Sequence, residues 1–305
     1  MSEQEVGGAP DTETRGERIS YWSIATVSWL AHRLPTRTGR MLFAWAGAIA
    51  YHLAPGPRGV VSANQARVLG RPVGDPMVVA STKEAFRLYG RYWFDAFHVV
   101  DWTDERMRRD FVFEGLEHVR AALEAGRGAL CVLPHMGNWD AGGRAMVAQG
   151  FETVTVAEEL RPRRLFELFL RERESFGVEV IGLSDGGRVG RRLATALAAN
   201  KVAALVADRD LTGRGIPVEM FGAPRRLPAG PALLALSSGA PILVCGVYQR
   251  AEGWRCVIGP LADVARTGEK RRDVEAITAA MAVGFEDVIS AAPPDWHMFQ
   301  PAWEE

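Results

Sequence analysis

His135 follows the apolar run ALCVLP and precedes MGNW and Asp140. A buried strand that opens directly into His135, Asn138, Trp139 and Asp140 gathers polar groups at one spot. Open α/β sheets bind ligands beyond such strand ends. The run VAALVA makes a second end of this kind, delivering Asp208, Arg209 and Asp210 together. Charges there are costly unless paired, so if the two strands are neighbours, His135 and Asp208 can meet. An imidazole held by a carboxylate keeps one tautomer and is stabilised once it takes a proton. Activation of a substrate hydroxyl requires that. His135 and Asp140 cannot share a helix face, because five steps turn about 140° around the axis. The Met136–Trp139 loop must fold back to join them, with Gly137 permitting the turn. Spacing alone leaves a plainer alternative open, in which Asp140 caps a helix N-terminus and His135 fills a pocket.

Other chemistries find less in the chain. There is no G-x-S-x-G nucleophile elbow, no GxxxxGK[ST], and no G-x-G-x-x-G between strand and helix. The six histidines show no paired ligand spacing, so no metal is expected. The three cysteines, Cys131, Cys245 and Cys256, sit singly in apolar runs and make neither a disulfide framework nor a zinc site. Cys131 precedes His135 on a strand by about 13 Å, too far for a nucleophilic pair. A net charge of −1 gives no footprint for nucleic acid. Arginines cluster at 161–173, 188–192 and 225–226; each cluster reads as a solvated helix face or as a site for a polyanionic small molecule.

These residues need a frame, and the chain supplies one. With 48% apolar and 24% charged residues it can build a sizeable core. Residues 1–17 are polar and read as a disordered head without a secretory signal; residues 18–305 read as a single domain. Within it, 18–100 form a helical, membrane-facing extension: Tyr21–Leu34, Arg40–Leu53 ended by PGP, and Asp75–Phe97. Trp22, Trp29, Trp45 and Tyr51 suit a membrane interface, or pack on the domain. No run reaches the ~20 apolar residues of a spanning helix. From residue 101 an α/β core follows. Strands are expected at Phe111–Glu114, Ala129–Leu133, Thr153–Ala157, Val178–Gly182, Val202–Ala207, Val218–Phe221, Ile242–Tyr248 and Trp254–Ile258. Helices are expected near Glu117–Ala125, Asp140–Gln149, Pro162–Phe176, Val189–Asn200, Ala229–Ser238 and Arg272–Ala291. Continuous apolar strands mean a sheet covered on both faces, hence a three-layer α/β/α domain with a mostly parallel central sheet.

The ordered set LPHMGNWD, VAEELRP, RESFGVEV, ADRDLTGRGIPVEMFG, LPAGPA and PPDWHMFQPAW resembles the lysophospholipid and lipid A late-acyltransferase superfamily, most closely its actinobacterial phosphatidylinositol mannoside acyltransferase branch. The similarity runs from about residue 20 to 303. It implies an acyl-CoA-dependent O-acyltransferase working peripherally at the cytoplasmic face of the plasma membrane. Acyl-CoA is then a co-substrate, an inositol glycolipid supplies the accepting mannose hydroxyl, and no cofactor is needed. On this resemblance His135 is the base of the HxxxxD motif, Asp140 completes the motif, and Asp208 stands where the branch usually has glutamate. Glu158 and Arg173 match polar positions implied to hold the acceptor sugar or balance charge, and Asn138, Trp139, Arg209 and Asp210 are further substrate-binding candidates. Arg209 or the backbone N–H groups after His135 would stabilise the oxyanion, and Arg161–Arg164 would meet the carrier's phosphates. A thioester hydrolase, a carrier-protein-dependent lipid A-type enzyme and a non-catalytic lipid binder are the alternatives.

Overall fold

The computed structural model describes residues 14–158, 161–183 and 188–303. Helix α1 (Arg15–Arg33) starts earlier than expected because Thr14 and Glu17 form a capping box: the Thr14 hydroxyl accepts the Glu17 N–H, and the Glu17 carboxylate accepts the Thr14 N–H. The disordered head expected at 1–17 is thus ordered at 14–17, and its first thirteen residues lie outside the described ones. Helix α2 (Thr36–Leu53) is followed at once by α3 (Pro55–Leu69), which sequence reading missed. The PGP run there starts a helix as well as ending one. Pro55 takes the first helical position, where its missing N–H costs nothing and its fixed φ suits the helix. Helix α4 (Pro76–His98) is capped by Asp75, whose carboxylate accepts the Met77 N–H, and α5 (Asp104–Asp110) leads into the core.

Helices α2 and α4 approach closely. A Cβ on Gly47 would lie 2.1 Å from the Phe86 carbonyl oxygen, and one on Gly90 2.1 Å from that of Phe43. Only glycine permits that contact between the two backbones. It seats α4, with its aromatic face, over the mouth of the sheet. Among the described residues no helix is long and apolar enough to cross a membrane.

The core alternates β1 (Phe111–Glu114), α6 (Leu116–Glu124), β2 (Ala129–Leu133), α7 (Trp139–Ala148), β3 (Thr153–Ala157), α8 (Arg163–Ser175), β4 (Val178–Gly182), α9 (Arg188–Ala198) and β5 (Val202–Val206). It continues through β6 (Ile216–Met220), β7 (Ala223–Leu227), α10 (Gly230–Ser238), β8 (Ile242–Gln249), β9 (Trp254–Pro260) and α11 (Lys270–Ala291). Seven strands form one sheet in the order β1-β9-β8-β2-β5-β3-β4. All neighbours are parallel except β8 and β9. The expected α/β architecture with a mostly parallel sheet and N-terminal helices is what the chain adopts.

Side-chain alternation sorts the core onto the two faces. Leu130, Val132, Ala203 and Leu205 pack with Leu193 of α9, Leu234 of α10 and Phe285 of α11. Cys131, Leu133, Val202, Cys245 and Cys256 pack with Val119 of α6 and Ala145 of α7. Trp254, wholly buried between Trp102 and Phe111, anchors the second face; its truncation to alanine would cost about 3–5 kcal/mol. The strand expected at Val218–Phe221 is the two-stranded hairpin β6–β7, turned at Phe221 and Gly222 with positive φ at both. Its second strand, APRRL, hid behind a proline and two arginines.

Candidate active site

β2 and β5 are neighbours, with Leu133 opposite Val206. Carried two residues beyond the strand ends, that register puts His135 opposite Asp208. The two meet twice. His135 Nδ1 lies 2.5 Å from one Asp208 carboxylate oxygen, and the His135 N–H donates to the other at 3.1 Å. That second oxygen also accepts the Trp296 indole N–H at 2.8 Å. The aspartate in place of the branch's glutamate reaches easily, because neighbouring parallel strands bring the two backbones within one short side chain.

Asp208 is fully buried. Burial alone would raise its pKa, but the His135 ring, the Arg225 guanidinium and the Trp296 N–H favour the anion and hold it at about 2. An ionised carboxylate only accepts hydrogen bonds, so Nδ1 of His135 carries a hydrogen, and in the neutral tautomer this selects Nε2 is the nitrogen with the lone pair. Among the described residues nothing bonds Nε2. The ring lines the cavity described below.

Asp140 is placed differently. One carboxylate oxygen takes the Arg173 Nε at 2.7 Å and the other the Tyr92 hydroxyl at 3.0 Å. The pair expected between His135 and the aspartate five positions later is made by Asp208 instead. Asp140 sits in the first turn of α7, a favourable place for an anion; the cap itself is Asn138, whose side chain accepts the Ala141 N–H at 2.9 Å. Asn138 is completely buried and is not among the residues that line the cavity. Burial works against the Arg173 cation, yet Asp140 beside it raises its pKa above the ordinary value. Arg173 therefore balances Asp140 as well as lining the cavity. Trp139, Glu158, Arg209 and Asp210 line it too, and the Asp210 carboxylate is held by Thr212 and Gly215 of its own loop.

The loop after His135 is held by residues the sequence reading quoted but assigned no role. Gly137 N–H donates to the Asp295 carbonyl at 2.8 Å, His297 N–H donates to the His135 carbonyl at 2.7 Å, and Met136 and Trp296 form an antiparallel bridge. Gly137 has φ +60, and a Cβ there would lie 2.1 Å from the Val247 carbonyl oxygen. Burial pushes the His297 pKa down to about 3; the neutral ring gives its Nε2 hydrogen to the Gly137 carbonyl at 3.0 Å. Arg225 donates to the Asp208 backbone carbonyl and stacks over Trp296 and Trp303. The signal for these residues was the dense DWH stretch after the last helix, but only pairing across the fold gives it a purpose.

The cavity measures about 1260 Å³, larger than the ~300–1,000 Å³ of ordinary ligand sites. It passes over the ends of β2 and β5 and has an arm on each face of the sheet. The α7 face of the cavity is lined by Phe113, Met146, Cys131, Cys245 and Cys256 together with Thr153 and Thr155; the three cysteines are 2–3% exposed. Contact with Cys245 and burial push the Cys131 thiol well up, so it stays protonated. The arm on the opposite face runs between α9 and α10 along Leu193, Leu205 and Leu234. None of Arg161, Arg163 and Arg164 lines the cavity. Arg164 lies over the Tyr21 ring at 3.8 Å, so the cations at the rim are Arg209, Arg214 and Lys270 instead. Among the described residues no group of three or more His, Cys, Asp or Glu could hold a metal ion.

An imidazole held by a buried carboxylate at the end of an inner strand, opening on a large and mostly apolar cavity, fits an enzyme that handles lipids. The chain belongs to the bacterial lipid A biosynthesis acyltransferase family, whose model matches residues 11–305. It is 41% identical over 289 residues to a phosphatidylinositol mannoside acyltransferase of Mycobacterium tuberculosis (strain CDC 1551 / Oshkosh), covering 92% of this chain and 88% of that protein. It is 39% identical over 244 residues to the protein of that name from Mycolicibacterium smegmatis, covering 79% and 77%.

Proposed function

We propose that this acyltransferase moves a fatty acyl group from acyl-CoA to a mannose hydroxyl of a phosphatidylinositol mannoside. The observation that carries the mechanism is the unengaged Nε2 of His135, fixed by Asp208 at the junction of the two cavity arms. The acceptor follows the names of the relatives. The hydroxyl oxygen attacks the thioester carbonyl carbon while Nε2 takes its proton, and the imidazolium so formed is stabilised by Asp208. The tetrahedral intermediate then collapses, the C–S bond breaks, and the proton passes from Nε2 to the departing thiolate. No acyl-enzyme is invoked, in keeping with a Cys131 thiol that burial holds protonated.

The N–H groups of His135, Met136 and Gly137 are committed to Asp208, Pro134 and Asp295, so the first turn of the loop cannot serve the oxyanion. Arg209 lines the cavity next to Asp208 in sequence and makes no ion pair among the described residues; we assign it that part, worth a few kcal/mol. The arm on the α7 face suits the acyl chain, because Phe113, Leu133, Met146 and Val247 make most of its wall apolar.

The enzyme is proposed to work peripherally on the cytoplasmic face of the plasma membrane. Trp22 and Trp29 of α1 and Met41 and Trp45 of α2 are 53–72% exposed. Such aromatic, apolar surface suits the headgroup boundary of a bilayer. The test is incubation with labelled palmitoyl-CoA and a panel of mannosylated and unmannosylated inositol lipids, followed by mass analysis. An added acyl group on mannosylated lipids alone supports the reading. Free palmitate whatever the acceptor would make the protein a thioester hydrolase.

A further inference from the structure

The arm on the α7 face accounts for one alkyl chain, and the cavity has a second apolar arm on the other face of the sheet. Its walls are Leu193 of α9, Leu205 of β5 and Leu234 of α10, all at most 8% exposed. Its lip carries Leu211 and Leu233, 49% and 38% exposed. Large apolar side chains left in water around an apolar slot mark a binding surface. Arg214 and Lys270 stand on the same rim, exposed and without an ion pair among the described residues. Asp273 and Asp210, the carboxylates nearby on the lining, are occupied by hydrogen bonds within their own loops. Two cations that make no ion pair among the described residues, on the lining of the same cavity as these leucines, complement a phosphate with an alkyl chain behind it.

We propose that the arm between α9 and α10 binds one acyl chain of the acceptor lipid, with the acceptor's phosphodiester held by Arg214 and Lys270. This rests on the acceptor being a phosphatidyl lipid, whose headgroup sugar, phosphate and chain would lie in that order from His135 outward. Donor and acceptor chains then occupy opposite faces of one sheet and meet only at the base. A pantetheine or nucleotide carrier would gain nothing from the leucine walls. A bare sugar acceptor would leave them empty.

The probe is lysophosphatidylinositol with a diazirine near the end of its single chain. After photolysis, labelled peptides are identified by mass spectrometry, with and without saturating palmitoyl-CoA. Expected is saturable labelling of peptides bearing Leu193, Leu205 or Leu234 that persists with palmitoyl-CoA. It should fall at least tenfold in Leu233→Glu and in Arg214→Glu/Lys270→Glu, and for a monoacylglycerol with the same chain. Labelling confined to peptides bearing Cys131 or Met146, displacement by palmitoyl-CoA, indifference to these substitutions or to loss of the phosphate, or no saturable labelling would overturn it. Labelling needs no turnover, so it can succeed where transfer fails. Conversely, if transfer is real and only this site is wrong, Leu233→Glu will use the intact lipid and its deacylated headgroup in the same ratio as the wild type.

Discussion

Asp140 is bound to Arg173, oxygen to Nε at 2.7 Å, and the histidine five positions before it is bound to Asp208. The two acids of the site therefore have separate work. Asp208 sets the tautomer of His135; Asp140 fixes Arg173 and Tyr92 in the wall beside it.

His135→Ala should reduce transfer by about 10²–10⁴ while the thermal melt stays within a few degrees of the wild type. Product formation by mass analysis and a melting curve on the same sample check both. Undiminished transfer would remove the base from the mechanism.

Asp208→Asn should act on kcat far more than on the acceptor's KM, because the anion matters most once the imidazole is charged. Reading the HxxxxD motif as the pair would assign that behaviour to an Asp140 variant. Asp140→Ala should instead cost stability, on the order of 3 kcal/mol, by stranding a partly buried arginine. Steady-state kinetics beside denaturant titrations separate the two, and a pure kcat loss in Asp140→Ala would reverse the assignment.

Three buried groups shape the pH response, and one of them is His297, whose pKa burial lowers to about 3, so that its contribution is present above its unfolded pKa and lost as pH falls through 3. Asp208 has its folded pKa depressed to about 2, so its contribution, about 2 kcal/mol, is present above its unfolded pKa near 4 and lost as pH falls through 2. Asp295 behaves oppositely. Burial raises its pKa to about 7, so the folded state holds a proton that the unfolded chain releases near pH 4. On this account alone stability falls as pH rises from 4 through 7, against the opposite slope from His297. Asp295→Asn should abolish the falling component and raise the melting temperature at pH 8 relative to the wild type, as melts at pH 5 and pH 8 will show.

Replacing Trp22 and Trp45 by glutamate should weaken sedimentation with anionic lipid vesicles at least tenfold. Transfer to a deacylated, water-soluble acceptor should be unaffected. Vesicle binding equal to that of the wild type would detach α1 and α2 from the membrane.

The sheet could be read from the chain because ALCVL and VAALV are apolar without interruption, which only a strand covered on both faces tolerates. Helices α3 and α5 escaped for the opposite reason. PGPRGVVSANQARVL and DERMRRD carry too few apolar residues in register to announce a face, and α3 hides behind prolines. The HxxxxD spacing pointed to Asp140 and the second strand end to Asp208, and it is Asp208 that His135 meets. Choosing between Asp140 and Asp208 requires knowing that β2 and β5 are adjacent, and adjacency is a property of topology. Trp296 and His297 were invisible as site residues on the same ground, since their contacts join positions some 160 residues apart.

The segment from Asp295 to His297 closes the last hydrogen bonds of the catalytic loop, yet it follows every strand and α11. While the ribosome is still making the chain, domains assemble from the N-terminal side, and the earlier elements can dock before this strap emerges. Until then Gly137 and the His135 carbonyl lack their partners and Asp208 lacks the Trp296 indole. The loop that carries His135 therefore gains its last supports from a segment that follows every strand and α11 in the chain.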